Sequence, residues 1–173
     1  FEARIEQHSN NSRLDLIAQD LYTFVWEDYC DWYLELSKPV LFNEATPENQ
    51  QRGTRRTLVR VLETILRLNH PIIPFITEDI WQRLKAPLDI AGESIMLQAY
   101  PATGTTDRQA EDDVAWLQSI LQGIRNIRAE LNVPPGKPLD IAYQAGNESD
   151  RDRQDRFANL LQSLGKINSS EWL

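Results

Sequence analysis

Residues 22–36 read YTFVWEDYCDWYLEL, and six of those fifteen are aromatic: Tyr22, Phe24, Trp26, Tyr29, Trp32 and Tyr33. The chain as a whole is 9% aromatic, so this enrichment calls for a physical reason. Aromatic faces stack on unpaired bases of nucleic acid, and they also fill cores. A helical wheel separates the two. Turning 100° per residue brings Leu14, Ala18, Leu21, Tyr22, Val25, Trp26, Tyr29, Trp32, Tyr33 and Leu36 within an arc of about 140°. Asp20, Glu27, Asp28, Asp31 and Glu35 gather in about 100° on the other side. The stretch is therefore expected to be a core-facing wall with an acidic back that repels phosphate. Tyr22, Trp26 and Tyr33 lie toward one margin, against a neighbouring helix with a polar edge showing. Phe24 falls among the acids, on the solvent side of an ideal helix.

Outward from this stretch, apolar residues keep helical spacing from Leu14 to about Lys38, where Pro39 is expected to end the run. Thr46-Pro47-Glu48 opens a second helix, with a hydroxyl cap and a proline in the first turn, running to about Leu68 before Pro71 and Pro74. Thr77 is placed as the cap of a short third helix that Pro87 stops. Residues 88–105 read as irregular, with Ile95-Met96-Leu97 extended. Thr106 and Gln109 have capping-box spacing and open a fourth helix to about Leu131. PPGKP at 134–138 is a stiff connector. LDIAY then alternates like a strand, Ser149 starts a helix that Gly165 ends, and KINSSEWL makes a second strand. The expected fold is mainly α: a helical bundle over residues 1–132 and a small strand-helix-strand α/β unit over 133–173.

Composition narrows the functional classes. At 173 residues, 41% hydrophobic and 25% charged, the chain is of globular type. No apolar run approaches the roughly 20 residues of a membrane span, and a soluble, cytoplasmic protein is expected. Phe1 opens the chain without a methionine, and a piece of a longer protein is the expectation. Cys30 is the one cysteine and His8 and His70 the two histidines, so neither an internal disulfide nor a metal site is expected. No phosphate loop, HExxH or GxSxG pattern occurs, and no catalytic residue is assigned.

The net charge of −8 argues against nucleic-acid binding by bulk charge, but positive charge is local. Residues 51–85 hold 7 basic and 3 acidic side chains, whereas residues 1–50 hold 3 and 10. Arg52, Arg56, Arg60 and Arg67 fall within about 80° of each other on the second helix, opposite Leu58, Leu62, Ile65 and Leu66. Guanidinium groups in a row suit phosphates, which they bind in forked geometry. The alternative is a solvated face with ion pairs to the acids of the first helix. From the residues alone, the chain is a binding or structural module.

Three stretches extend this. FVWEDYCDWYLELSKP (24–39), LRLNHPIIPFITEDIWQRL (66–84) and IRNIRAELNVPPGKPL (124–139) resemble, in order and spacing, the C-terminal region of the valyl-tRNA synthetase family. The resemblance covers about Leu14 to Leu173, and the first and third stretches are its specific parts. It implies an anticodon-binding helical bundle of a class I aminoacyl-tRNA synthetase, an enzyme that attaches valine to its tRNA using ATP. The partners implied are valine-specific tRNA and an upstream catalytic domain of the same chain. That domain's HIGH-type and KMSKS-type motifs do not occur in these residues, the editing domain is also absent from them, and no cofactor is expected on this part. Under this resemblance Lys38, Arg52, Arg56, Arg60 and Arg67 are candidates for phosphate contact. Arg125 and Arg128 either face tRNA or form ion pairs locking the bundle to the α/β unit. No base-reading residue is carried over. The rival reading is a helical protein-interaction or scaffold domain.

Overall fold

A computed structural model describes the whole chain, residues 1–173. It is mainly α-helical with one two-stranded sheet, as the sequence predicts. The chain divides into two compact units, Phe1–Thr105 and Thr106–Leu173. No helix is long and apolar enough to cross a membrane.

The first unit opens with a helix that the sequence reading did not anticipate, α1 (Glu2–Asn10), which buries Ile5 completely. α2 (Leu14–Thr23) then buries Ile17 and Leu21, and these three pack with Leu68. From Phe24 to Leu34 the chain is not α- but π-helical, and α3 (Glu35–Leu41) continues it. A π-helix bonds i to i+5 and its turn is wider than the α-turn, roughly four to five residues, so residues four and five apart share a face. The sequence obeys that spacing: Phe24, Val25, Tyr29, Cys30, Tyr33 and Leu34 share one core cluster with Leu58 and Ile65. Phe24 is therefore not stranded among acids. It packs inward and stacks on Phe1 with ring centroids 4.0 Å apart. Conversely, Tyr22 and Trp26 lie outside, exposed and parallel to each other. Pro39 does not end the run but sits inside α3, which stops two residues later at Leu41.

α4 (Glu48–Asn69) carries the apolar residues Leu58, Ile65, Leu66 and Leu68 into the core. Pro47, not Thr46, is its N-cap, and no side chain caps it. α5 (Pro74–Leu84) starts earlier than expected because proline suits the first helical position. Thr77 is consequently inside the helix, where its hydroxyl donates back to Ile73 O at 2.9 Å. Trp81 is fully buried against Leu66 and Ile95. Ile95–Leu97 forms a short 3-10 turn instead of an extended segment, because Ser94 Oγ accepts from Met96 N.

In the second unit, α6 (Arg108–Glu130) is capped by Asp107 instead of Thr106, with Oδ1 accepting from Ala110 N at 3.1 Å. β1 (Leu139–Tyr143) and β2 (Ile167–Trp172) pair in parallel, with a register shift after Leu139. The expected single crossover helix is two short ones, α7 (Glu148–Arg156) and α8 (Ala158–Gly165). Asn147, not Ser149, starts α7 through a reciprocal capping box with Asp150. Lys166 takes the left-handed conformation that ends α8 and turns the chain into β2. The boundary expected at residue 132 lies inside this second unit, because α6 packs on α8 there.

Candidate nucleic-acid interface

α4 is amphipathic in charge as well as in hydropathy. Its core residues take one side, and helical spacing leaves Arg52, Arg56 and Arg60 exposed on another. Thr54, Thr57 and Thr64 turn their hydroxyls back onto the carbonyls of Gln50, Gly53 and Arg60, at 3.0, 3.0 and 3.2 Å. Those polar side chains are thus spent on the helix itself. None of the three guanidinium groups has an ion-pair or hydrogen-bond partner, so the ion pairs to first-helix acids that the alternative reading required are not made. The row repeats every fourth residue, about 6 Å along the axis.

Beside Arg60 lies a recess of about 280 Å³ lined by Phe1, Glu2, Phe24, Arg60, Val61, Thr64, Ile65 and Leu68. Its walls are mostly aromatic and aliphatic, with one basic and one acidic residue, Arg60 and Glu2, among them. This recess exists because the π-helical turn swings Phe24 inward, and an α-helical wheel conceals it.

Arg67, predicted with the row, serves another purpose. Its Nε and Nη2 donate to Glu63 Oε2 at 3.1 and 2.8 Å, and Nη1 donates to Ala99 O at 2.9 Å. Glu63 is buried, and its other oxygen accepts from Trp81 Nε1 at 3.1 Å. Arg67 thereby neutralises a buried carboxylate and ties the 98–100 segment to α4. Lys38 is exposed and pairs with Glu35 one turn back on α3, a bond that solvent weakens.

Arg125 and Arg128, three apart on α6, part company. Arg125 is exposed. Arg128 is 8% exposed and donates to four carbonyls: Pro134 at 3.1 Å, Lys137 at 2.8 Å, Gly165 at 2.9 Å and Lys166 at 3.4 Å. Neither tRNA contact nor an ion pair describes it. Its guanidinium fork fastens the PPGKP connector to the turn between α8 and β2, which accounts structurally for an arginine before that connector.

A second buried charge escaped the sequence reading. Asp113 on α6 accepts from Arg153 Nε at 2.8 Å and Arg156 Nη1 at 2.7 Å, both on α7. Hydrogen bonds from Arg156 and then Arg153 hold its carboxyl well below the usual carboxylate range. The signal was present in the composition of α7: ESDRDRQDR has no apolar residue, so that helix attaches by charge.

In α5, Glu78 accepts from Ser94 Oγ at 2.8 Å and Ile95 N at 3.1 Å, and Gln82 donates to its other oxygen at 2.6 Å. These bonds, Gln82 first, depress its pKa and seat the 94–97 turn against α5.

Comparison with known proteins puts this geometry in context. The profile of the family described as the anticodon-binding domain of tRNA ligase matches residues 1–143. Among curated relatives, a valine–tRNA ligase of Xanthomonas campestris pv. campestris (strain B100) is 43% identical over 175 residues. That match takes in 99% of this chain and 18% of the relative, so the chain spans under a fifth of that protein's length.

Proposed function

Because the chain belongs to the family of anticodon-binding domains of tRNA ligases, we propose that it is the tRNA-gripping region of a valine–tRNA ligase. The observation that carries this is the row Arg52, Arg56 and Arg60: three exposed, unpartnered guanidinium groups on one face of a chain whose net charge is −8. Exposed cations without a partner on an acidic chain are available to an outside anion. Phosphate contacts set register and orientation, while unpaired loop bases stack on aromatic surface. The recess beside Arg60 supplies such a surface, with Arg60 and Glu2 both in its lining. Lys38 and Arg125, both exposed, are the remaining candidates for phosphate contact. Arg67 and Arg128 are structural.

In this reading the complete enzyme, a cytoplasmic class I synthetase, activates valine with ATP and transfers it to the tRNA 3′ end elsewhere in the chain. This region contributes geometry: it holds the anticodon stem-loop so that the distant acceptor end meets the catalytic site.

Binding of valine tRNA to the 173-residue chain, measured across a salt series, tests the assignment. Replacing Arg52, Arg56 and Arg60 by Gln together is expected to weaken affinity and flatten the log–log salt slope by roughly 0.7 to 0.9 per lost contact. An unchanged slope would remove the row from the interface and favour a protein-interaction role.

A further inference from the structure

Arg128 is a buried cation without an anion. The groups that its guanidinium meets are all carbonyls, those of Pro134, Lys137, Gly165 and Lys166, and it makes no ion pair. Two of these carbonyls belong to lysines, so a single guanidinium holds the backbones of Lys137 and Lys166 beside each other. Leu139 N, donating to Lys166 O at 3.0 Å, closes the same knot. Both lysine side chains are exposed, and neither has an ion-pair or hydrogen-bond partner. The only other lysines of the chain are engaged, Lys38 by Glu35 and Lys85 by Gly92 O. The free lysines are thus together on this knot.

We infer that Lys137 and Lys166 form a further phosphate-binding point for tRNA, carried by the second unit, an inference that rests on the tRNA-binding reading above. Lys166 lies beyond residues 1–143, the part matched by the anticodon-binding family. Three observations carry the assignment. First, charge in this unit is sorted along α6. Asp107, Glu111, Asp112 and Asp113 gather at its start, and the 15 residues from Asp113 to Arg128 span about 22 Å at 1.5 Å each. At the knot the acids are Glu130 and Asp140, and Asp140 already accepts from Asn168 and Ser169. Arg128, Lys137 and Lys166 therefore outnumber the one free carboxylate, Glu130. Second, Lys166 ends α8 at φ 49° and ψ 50°, the left-handed conformation that glycine takes without strain. The negative end of the α8 dipole accounts for a cation near that terminus. It does not account for a lysine in the one position where glycine costs least, and strain held at a residue points to a use for its side chain.

Third, the chemistry suits a phosphodiester. An ammonium is a point charge with three rotatable donors, so two of them on fixed backbones accept phosphate oxygens at varied angles. Arg128 is a positioning residue here: its donors are spent on carbonyls, and what it contributes is the placement of both lysines and a positive charge that no carboxylate cancels.

Lysine acetylation read by mass spectrometry tests the inference directly on the 173-residue chain. Valine tRNA is expected to slow acetylation of Lys137 and Lys166 several-fold while Lys85 reacts at an unchanged rate; equal rates at Lys137 and Lys166 with and without tRNA overturn the assignment. The variant Lys137→Gln with Lys166→Gly removes both charges without breaking the knot, whose bonds are to backbone. Glycine also relieves the left-handed strain, so the midpoint of urea unfolding should not fall. Its log–log salt slope for valine tRNA is expected to flatten by roughly 1.4 to 1.8, two contacts at about 0.7 to 0.9 each. An unchanged slope overturns the inference. So does an equal flattening per charge in Arg108→Gln, an exposed residue at the start of α6, since that would assign the effect to net charge. The arginine row and the knot fail separately. If the lysine variant flattens the slope and the Arg52, Arg56 and Arg60 variant does not, the row falls and the knot stands. The reverse result removes the knot and leaves the ligase reading intact, and a chain that binds no tRNA refutes both.

Discussion

Arg128 shows what one buried side chain does for this fold. Its fork ties carbonyls of two separate segments, the PPGKP connector and the turn after α8, and a nonpolar replacement removes all of these donors at once. Arg128→Met is predicted to destabilise the second unit by about 3 kcal/mol, measured by urea unfolding. Arg128→Lys recovers little of this, because a point ammonium lacks the forked geometry. Asp113 yields a pH prediction. Its folded pKa is depressed by Arg156 and Arg153, so its stabilisation is present above the unfolded carboxylate value of about 3.9 and is lost as pH falls toward the folded one. Thermal melts of the wild type should lose stability below about pH 4. In Asp113→Asn, which is less stable at neutral pH, that acid-induced loss should shrink; an unchanged acid limb would assign the titration elsewhere.

At the scale of the element, the π-helical segment Phe24–Leu34 rearranges what a helical wheel places. An i to i+5 ladder turns each residue through less than 100°, so a wheel drawn for an α-helix drifts further out of phase with every step. Phe24→Ala is predicted to cost about 2 kcal/mol, since it removes a ring from the core cluster. Trp26→Ala, at an exposed ring, should stay within about 0.5 kcal/mol. Chemical denaturation of the two variants decides the register, because an α-helical register predicts the reverse order. Traces of this were legible: FVWEDYCDWYL repeats its apolar pairs Phe24-Val25, Tyr29-Cys30 and Tyr33-Leu34 at intervals of five and then four residues, longer than an α-helical turn. Helix starts were legible only to within a few residues. Several polar residues near each boundary offer a cap, and the backbone geometry selects one, as with Asp107 over Thr106 and Asn147 over Ser149.

For the whole molecule, the two compact units divide between Thr105 and Thr106, within a stretch free of regular structure. Exposed, irregular backbone is where proteases act first. Limited digestion with a broad-specificity protease should cut first within residues 101–106, with fragments assigned by mass spectrometry. A first cut near the PPGKP connector would instead favour the boundary at 132. The charge pattern belongs to this scale too: residues 51–85 are net positive within a chain whose net charge is −8.

Periodicity, breakers and motif spacing are local properties, and so the mainly helical fold with its strand-helix-strand end, the apolar face of α4, the basic helix and the family were readable from the residues, whereas α1, the division of the crossover helix and the π-helical register were not. Which charges are free for a partner was not. Arg52, Arg56, Arg60 and Arg67 share one stripe of one helix, yet Arg67 is engaged because Ala99, 32 residues away, closes onto it beside Glu63. Arg128 is withdrawn by Gly165, 37 residues away, and Asp113 finds Arg153 across 40. A side chain's availability depends on what the fold brings to it, and those partners are distant in sequence, so only the tertiary structure separates the arginines that hold the protein together from those left to bind.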